Sequence, residues 1–200
     1  MAADPRSARL ERFDVAMKQE GVDAVFVTHL PNVRYLTGFT GTAAILLVAE
    51  PTPILFSDFR YQAQAAEEVG DLVRVEIVAR DLWGSALRVL PDQEGISAVG
   101  YEADSLTAKQ ASQLDQDGVE GIRFKPTVQL VEGLRVVKEA AEVAAIRAAA
   151  ELAAEALAVT LQTVRAGQTE LDIAAELERE LRRRGSEWHP FPTIVASGAR

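Results

Sequence analysis

The sequence predicts an α/β fold in which an open β-sheet is covered by helices on both faces and is followed by a more helical region. Up to about residue 128, short apolar runs alternate with amphipathic helical patterns, the order expected of an α/β domain. Beyond that point, apolar residues recur at steps of three and four over long stretches. With 48% hydrophobic and 26% charged residues among 200, the chain can bury a sizeable core.

The first elements are a helix, a strand and a hairpin. The helix has apolar residues on one face, namely Leu10, Phe13 and Met17. Gly21 is placed to end it, and Asp23–Thr28 has the short, apolar, β-rich composition of a strand. Ala43–Ala49 and Pro53–Ser57 are of the same type, and the two prolines of the Glu50–Pro53 turn between them favour a hairpin.

Three helices and three strands continue the alternation. In order they are helix Phe59–Val69, strand Leu72–Val78, helix Leu82–Leu90, strand Ile96–Tyr101, helix Leu106–Leu114 and strand Val119–Phe124. Strands and helices at this spacing predict a sheet with helices packed on both of its faces.

The pattern then becomes helical. Val136–Arg165 has one apolar stripe with its charges elsewhere, which predicts a single long amphipathic helix that ends at Gly167. Thr169 and Asp172 resemble the capping box of a second helix. The predicted buried stripe of that helix consists of Leu171, Ala174, Leu177 and Leu181. Phe191–Ala196 is predicted to be a strand.

A domain boundary is predicted near Pro126–Val131, which divides the chain into residues 1–126 and 127–200. Met1–Lys125 is expected to fold alone because it holds every predicted strand of the first sheet. Two helices and one strand cannot close a core, so the second domain is expected to be incomplete. The abrupt end on Ser197–Arg200 favours a fragment of a longer protein.

The charge balance excludes several classes of partner. Thirty acidic against 21 basic residues give a net charge of −9, which repels nucleic acid and anionic membrane surfaces. No apolar run approaches the about 20 residues of a membrane span, and Met1–Leu10 has no signal-peptide pattern. A cytoplasmic protein is therefore expected. The absence of cysteine excludes disulfides and thiol nucleophiles.

The residues alone predict no catalytic centre. A di-metal hydrolytic site needs about four or five converging carboxylate and imidazole ligands. Only His29 and His189 supply imidazole, and no such cluster is found. One helix face carries three carboxylates, of Asp172, Glu176 and Glu180, but nearby arginines favour solvated surface. No phosphate-binding glycine motif or nucleophile elbow is found either.

Five segments together, in order, resemble the pita-bread metallopeptidases of the Xaa-Pro dipeptidase (prolidase) and Xaa-Pro aminopeptidase type. They are Asn32–Gly41 (NVRYLTGFTG), Asp58–Ala63 (DFRYQA), Leu134–Lys138 (LRVVK), Gly167–Glu178 (GQTELDIAAELE) and Phe191–Gly198 (FPTIVASG). The first is similar to the family's N-terminal loop-and-strand signature. Each motif alone is a weak indicator of the family. The ordered set is a strong indicator, and it covers nearly the whole chain.

The resemblance implies a creatinase-like N-terminal α/β domain followed by the first helices and strand of an α+β pita-bread catalytic domain. It also implies two divalent metal ions (Mn, Co or Zn) in the full-length parent. The family's ligands, two Asp, one His and two Glu, match no position here, so no metal is expected to be bound by this chain. The implied substrates are short proline-containing peptides, and the implied assembly is a homodimer.

The parent protein is accordingly expected to hydrolyse the bond before proline in dipeptides or short peptides, with this chain inactive alone. Two alternatives stay open. One is creatinase-like amidinohydrolysis, which uses the same fold without metals. The other is a catalytically inactive binding or scaffold relative.

Four candidate substrate-binding residues follow from the resemblance. Phe191 matches the position that lines the pocket for the proline ring, although an ordinary core phenylalanine is an equal alternative. His189 could reach the mouth of that pocket or be a rim histidine without a role. Phe39 and Arg60 are candidates for a wall that one subunit presents to the active site of the other. The other histidine, His29, is expected to be a backbone-bonded loop residue.

Overall fold

The computed structural model describes residues 4–116, 119–188 and 191–199, with the backbone alone at residues 115 and 116. The chain forms two compact units, Met1–Val136 (unit 1) and Val137–Arg200 (unit 2). The division lies after the predicted boundary because a short helix, Leu130–Arg135, packs against the first helix and groups with unit 1.

Unit 1 is built on a six-stranded mixed sheet. The strands are β1 (Ala24–Val27), β2 (Ala44–Val48), β3 (Ile54–Asp58), β4 (Arg74–Val78), β5 (Ala98–Glu102) and β6 (Arg123–Thr127), in the spatial order β4-β3-β2-β1-β5-β6. β2 pairs antiparallel with both β1 and β3, which confirms the predicted hairpin. The other pairs are parallel. Five strands therefore end at one edge of the sheet, here called the carboxyl edge.

The described part of unit 1 contains six helices, which precede, connect and follow the strands. They are α1 (Pro5–Glu20), α2 (Leu30–Thr37), α3 (Gln62–Val69), α4 (Leu82–Arg88), α5 (Ala108–Gln116) and α6 (Leu130–Arg135). Three short 3₁₀ turns lie at Phe59–Tyr61, Gly70–Leu72 and Leu90–Asp92. The alternation of strands and helices is that predicted for the α/β sheet.

Most strands contribute to two hydrophobic cores because successive side chains point to opposite faces of a sheet. Val25 and Val27 of β1 belong to one apolar cluster, together with Phe13 and Met17 of α1. Ala24 and Phe26 belong to the other cluster, which Trp83 of α4 joins. A strand apolar at every position is thus buried on both faces, as the sequence predicted.

The start and end of α1 follow from its capping residues. The Asp4 carboxylate accepts a hydrogen bond from the backbone N–H of Arg6 at 2.9 Å. At the other end Gly21 adopts a left-handed conformation, φ 71°, which costs least for a residue without Cβ. The predicted helix stop is confirmed.

Helix α2 differs from what the resemblance implied for Asn32–Gly41, which was a loop-and-strand signature. Leu30–Thr37 is helical. Pro31 lies in the first turn, where the missing N–H needs no helical partner and the fixed φ suits a helix. Proline here begins an element instead of marking a turn.

The described part of unit 2 contains two long helices, α7 (Ala140–Thr163) and α8 (Glu170–Arg183). The predicted single helix Val136–Arg165 is wrong at its start, because α7 begins only after a capping box formed by Glu139 and Glu142. The second predicted capping box, Thr169 with Asp172, is confirmed.

Two further predictions for unit 2 are wrong. Leu171 is 80% exposed and does not belong to a buried stripe. Phe191–Ala196 forms no strand. A strand needs a neighbouring strand to pair its backbone groups, and the described part of unit 2 offers only helices. This segment is instead held by polar contacts, from the Thr193 hydroxyl to Glu178 (2.7 Å) and from the Ser197 N–H to Glu170 (2.9 Å).

Candidate functional site

The carboxyl edge of the sheet carries an exposed turn, Asp58–Tyr61, directly after β3. The Asp58 carboxylate accepts a hydrogen bond from the backbone N–H of Arg60 (3.0 Å) and two from its guanidinium, at 2.9 and 2.6 Å. These contacts hold the pKa of Asp58 below its usual range and raise that of Arg60. The guanidinium also lies 5.2 Å from the centre of the Tyr61 ring. Arg60 is thereby oriented while its charged group stays accessible.

Phe39 lies beneath this turn and is buried. It is 1% exposed and meets Tyr61 edge to face, with the ring centroids 5.6 Å apart. A Cβ at Gly41 would come within 2.2 Å of the Phe39 ring, so glycine allows this close approach. Phe39 therefore supports the turn from the core and presents no surface to another chain. The exposed aromatic side chain of the turn is that of Phe59, which is 71% exposed.

The loop before β2 is fixed to the same turn. The Thr42 hydroxyl and the Tyr61 phenol are 2.6 Å apart, and this hydrogen bond lowers the pKa of Tyr61. Thr40 donates its N–H and hydroxyl to Glu68 at 2.8 and 2.5 Å. Phe59 and Arg60 consequently project from a turn that hydrogen bonds and ring contacts hold on two sides.

A polar network centred on a buried asparagine lies along the carboxyl edge, where β1 and β5 end. Asn32 is fully buried, and its amide nitrogen donates to Glu102 (2.7 Å) and Glu132 (2.6 Å). Its amide oxygen accepts from Arg135 at 2.7 Å. Glu102 also accepts the N–H groups of Thr28 and His29, at 2.6 and 2.7 Å. The Asn32 network, defined as Asn32, Glu102, Glu132 and Arg135, therefore joins α2, β5 and α6.

A cavity of about 140 Å³ adjoins this network and is lined by His29, Glu132 and Gln129, among others. His29 lies at the N-cap of α2, and its Nδ1 is 3.6 Å from Glu132. Burial opposes ionisation of Glu132, but the hydrogen bond from Asn32 and the nearby His29 outweigh it and lower the Glu132 pKa. Both Glu102 oxygens accept hydrogen bonds, and one Glu132 oxygen accepts from Asn32 and faces His29, which favours a structural role.

The described residues do not fit a catalytic metal. Within residues 4–116, 119–188 and 191–199, no group of three or more histidine and carboxylate side chains is arranged to hold an ion. The acidic face of α8 is engaged by arginines instead, since Glu176 pairs with Arg179 and Glu180 contacts both Arg179 and Arg184.

In unit 2, Phe191 is 63% exposed. A cavity of about 350 Å³ lies between α8 and residues 193–196, lined by Leu171, Ala174 and Thr193, among others; Phe191 is not part of its lining. His189 lies outside the described residues. The structure brings Phe39 and Arg60 together around Tyr61, with Phe39 in the core and Arg60 at the surface.

The sequence analysis missed Phe59 and the Asn32 network. Phe59 directly follows the N-cap residue Asp58, but this pattern does not indicate exposure, since Trp83 in the first turn of α4 is buried. The network gave no local signal either, because Asn32 lies 70 to 103 residues from its three partners in the chain. In the part of the chain described here, no helix has the length and apolar character needed to cross a membrane.

Comparison with known proteins agrees with this architecture. Residues 9–137 match the creatinase/prolidase N-terminal domain, and residues 144–200 match metallopeptidase family M24. The uncharacterized peptidase YqhT of Bacillus subtilis (strain 168) is 31% identical over 195 residues, which are 96% of this chain and 54% of that protein.

Solved structures are similar as well. The Xaa-Pro dipeptidase from Bacillus anthracis has a TM-score of 0.82 at 29% identity, covering 90% of this chain and 50% of that one. The N-terminal domain of the cytoplasmic peptidase PepQ from Mycobacterium tuberculosis H37Rv has a TM-score of 0.58 at 30% identity. The match covers 64% of this chain and 98% of that one. The chain spans about half the length of the curated relatives it matches. The chain therefore belongs to the creatinase/prolidase N-terminal domain family, with a metallopeptidase family M24 segment following that domain.

Proposed function

We propose that this chain is the N-terminal part of an Xaa-Pro peptidase that hydrolyses the bond before proline in dipeptides or short peptides. The observation that carries the proposal is the order of the two family matches, 9–137 and then 144–200, along one chain. Relatives that span the same order are named Xaa-Pro dipeptidase in Pyrococcus horikoshii and Pyrococcus furiosus.

Metal dependence is part of this proposal, with two Mn, Co or Zn ions in the parent protein. Membership of a metallopeptidase family supports it. Since the described residues do not fit an ion, its ligands belong to parts of the parent that the described residues do not include. The proposal includes the expectation that the chain alone is inactive.

The Asp58–Tyr61 turn is proposed to contact substrate at the active site of a second subunit in a cytoplasmic homodimer. Phe59 offers an exposed apolar ring and Arg60 an oriented cation. A short peptide ending in proline presents complementary groups, a pyrrolidine ring and a carboxylate. Of the predicted wall residues, Arg60 keeps the contact role, Phe39 supports the turn from below, and Phe59 supplies the exposed ring.

The activity is tested on the full-length parent, assayed after chelation and after addition of Mn²⁺, Co²⁺ or Zn²⁺. We expect metal-dependent hydrolysis of Xaa-Pro dipeptides or Xaa-Pro-Xaa peptides and none of matched peptides with alanine in place of proline. The 200-residue chain should show no turnover and no stoichiometric metal binding by calorimetry. Hydrolysis of creatine, or no turnover of any substrate by the folded parent, would support one of the two alternatives.

The contact role of Arg60 is tested by Arg60→Gln in the same parent. The control is Arg88→Gln, which removes the same charge from an exposed arginine of α4. We expect kcat/KM for Xaa-Pro substrates to fall about 10-fold, the range of one charge-assisted contact, with an unchanged melting temperature. Equal activity of the two variants would remove Arg60 from the site.

A further inference from the structure

A groove lies on unit 1 at the edge of the sheet opposite the candidate site. It runs between α1 and the turn that joins β2 to β3. It consists of two adjoining cavities, of about 460 and 280 Å³, which share Asp14 and Glu50 in their linings. We call these two cavities together the amino-edge groove.

The larger cavity has an apolar floor. Its lining includes Leu10 and Met17 of α1, Pro53 before β3 and Leu72 before β4. A volume of about 460 Å³ falls within the range of cavities that bind small ligands or several side chains. The floor is thus suited to an apolar side chain.

The rim of the groove is acidic. The two linings contain five carboxylates, of Glu11, Asp14, Asp23, Glu50 and Glu94, and one cation, Lys18. An excess of one charge around a low-dielectric wall raises the local concentration of oppositely charged ligands. The occupant that this surface fits is therefore cationic as well as apolar.

Lys18 marks where a cation binds. Its ammonium lies 2.6 Å from the Asp14 carboxylate and 3.3 Å from that of Glu50, so two acidic groups from different elements converge on one point. These hydrogen bonds raise the pKa of Lys18. Since the Lys18 side chain is 64% exposed, another cation from solvent can replace it.

We propose that the amino-edge groove binds a cationic, partly apolar segment of a partner protein. A lysine or arginine of that segment replaces the Lys18 ammonium between Asp14 and Glu50, and an adjacent apolar side chain enters the larger cavity. Lys18 competes with the ligand for the two carboxylates. Because the groove lies at the edge opposite Arg60, this binding is independent of the proposed peptidase activity.

The test uses the 200-residue chain and the probe peptide acetyl-Leu-Lys-Leu-Lys-Leu-amide. Calorimetry measures affinity, and amide chemical shifts locate the bound peptide. Lys18→Ala should strengthen binding by about two- to fivefold, the range of an exposed ion pair. Asp14→Asn combined with Glu50→Gln should weaken it at least as much. The amide chemical-shift changes should be concentrated around Leu10, Met17 and Leu72.

Two matched controls separate this site from the overall negative charge. Lys109→Ala on α5 removes the same charge as Lys18→Ala but lies outside the groove, and Glu67→Gln removes an exposed acid of α3. Neither control should change affinity. The peptide acetyl-Gly-Lys-Gly-Lys-Gly-amide carries the same charge and should bind more weakly.

Several results would overturn the proposal. One is an increase in peptide affinity from Lys109→Ala equal to that from Lys18→Ala. Another is equal affinity for the leucine and glycine peptides. A third is a set of amide chemical-shift changes spread over the whole surface. Sedimentation tests whether a second copy of the chain occupies the groove. Self-association of the chain that is lost in the Asp14→Asn, Glu50→Gln variant would rule out a separate partner.

Discussion

Asn32 is the single residue on which most of the carboxyl edge depends. Its amide group forms hydrogen bonds with two carboxylates and one guanidinium at once. Only asparagine and the longer glutamine carry a two-donor NH₂ group together with an acceptor oxygen. Because Asn32 itself is fully buried, loss of its amide leaves the groups that face it without their hydrogen-bond partner.

The first prediction is that Asn32→Asp destabilises the protein by about 2–4 kcal/mol, because it buries a third carboxylate against Glu102 and Glu132. Urea unfolding followed by circular dichroism measures the loss. Adding Glu132→Gln should recover part of it, since a glutamine amide can donate to the new carboxylate. A double variant no more stable than Asn32→Asp would contradict the network.

Phe191 carries the second prediction, which rests on the proposed function and on the parent protein. Phe191→Ala should remove apolar contacts to the proline ring worth about 1–3 kcal/mol, or about 10- to 100-fold in kcat/KM for Xaa-Pro substrates. A poor substrate without proline should lose much less. The measurement is kcat/KM of the variant on both substrates, together with its melting temperature. An equal loss on both substrates, or unfolding, would assign Phe191 to the core.

At the scale of elements, Asp23 joins the starts of two parallel strands. Its carboxylate precedes β1 and accepts hydrogen bonds from the N–H groups of Ser97 and Ala98, both at 2.9 Å, where β5 begins. These backbone hydrogen bonds, opposed by burial and aided by the Ser97 hydroxyl and Arg123, lower the pKa of Asp23.

The third prediction concerns the pH dependence of this contact. Because the pKa is lower in the folded state than the about 3.9 of an unfolded aspartate, the stabilisation is complete above about pH 5 and is lost as pH falls through the folded pKa. Asp23→Asn should cost about 1 kcal/mol at pH 7, and the difference in unfolding free energy from the unmodified chain should be smaller by about pH 3.5.

Urea unfolding at pH 7, 5 and 3.5 measures this difference. Asp92→Asn, at an exposed aspartate, is the control and should be neutral throughout. A cost for Asp23→Asn that is the same at pH 7 and pH 3.5 would show that the charge of Asp23 is not what stabilises the strand pair.

For the whole molecule, the two units differ in how much apolar surface they bury. Unit 1 has a core on each face of its sheet. Unit 2 exposes large apolar side chains along both helices and the segment after them, among them Ile146, Leu161, Leu171 and Ile194. Such surface is buried in a stable monomeric domain.

The fourth prediction is that residues 1–136 unfold cooperatively as an isolated fragment, whereas residues 137–200 show no cooperative transition as a monomer. A shorter fragment, 1–125, should be less stable. It cuts β6 and removes Val131, Glu132 and Arg135, and with them the packing of α6 on α1 and half of the Asn32 network.

Circular dichroism with urea, beside sedimentation, measures all three fragments. Equal stability of 1–125 and 1–136 would show that α6 contributes nothing to unit 1, and a cooperative monomeric transition of 137–200 would show that unit 2 closes its own core.

Local chemistry alone determined much of this protein. The apolar β-branched runs, the two-proline turn, Gly21 and the Thr169 capping box each act within a few residues, so the strands of unit 1, the hairpin and the limits of two helices could be predicted. The ordered motifs indicated the family because they, too, are short and local.

Tertiary structure decided what depends on distant partners. Phe39 is buried because Tyr61 and the core cover it, and Phe59 is exposed because nothing does. The Asn32 network unites side chains up to 103 residues apart, which no spacing in the chain reveals. Phe191–Ala196 has strand composition but no strand to pair with in the described part of unit 2. Hydrogen-bond pairing and burial are properties of the assembled chain, and propensity supplies neither.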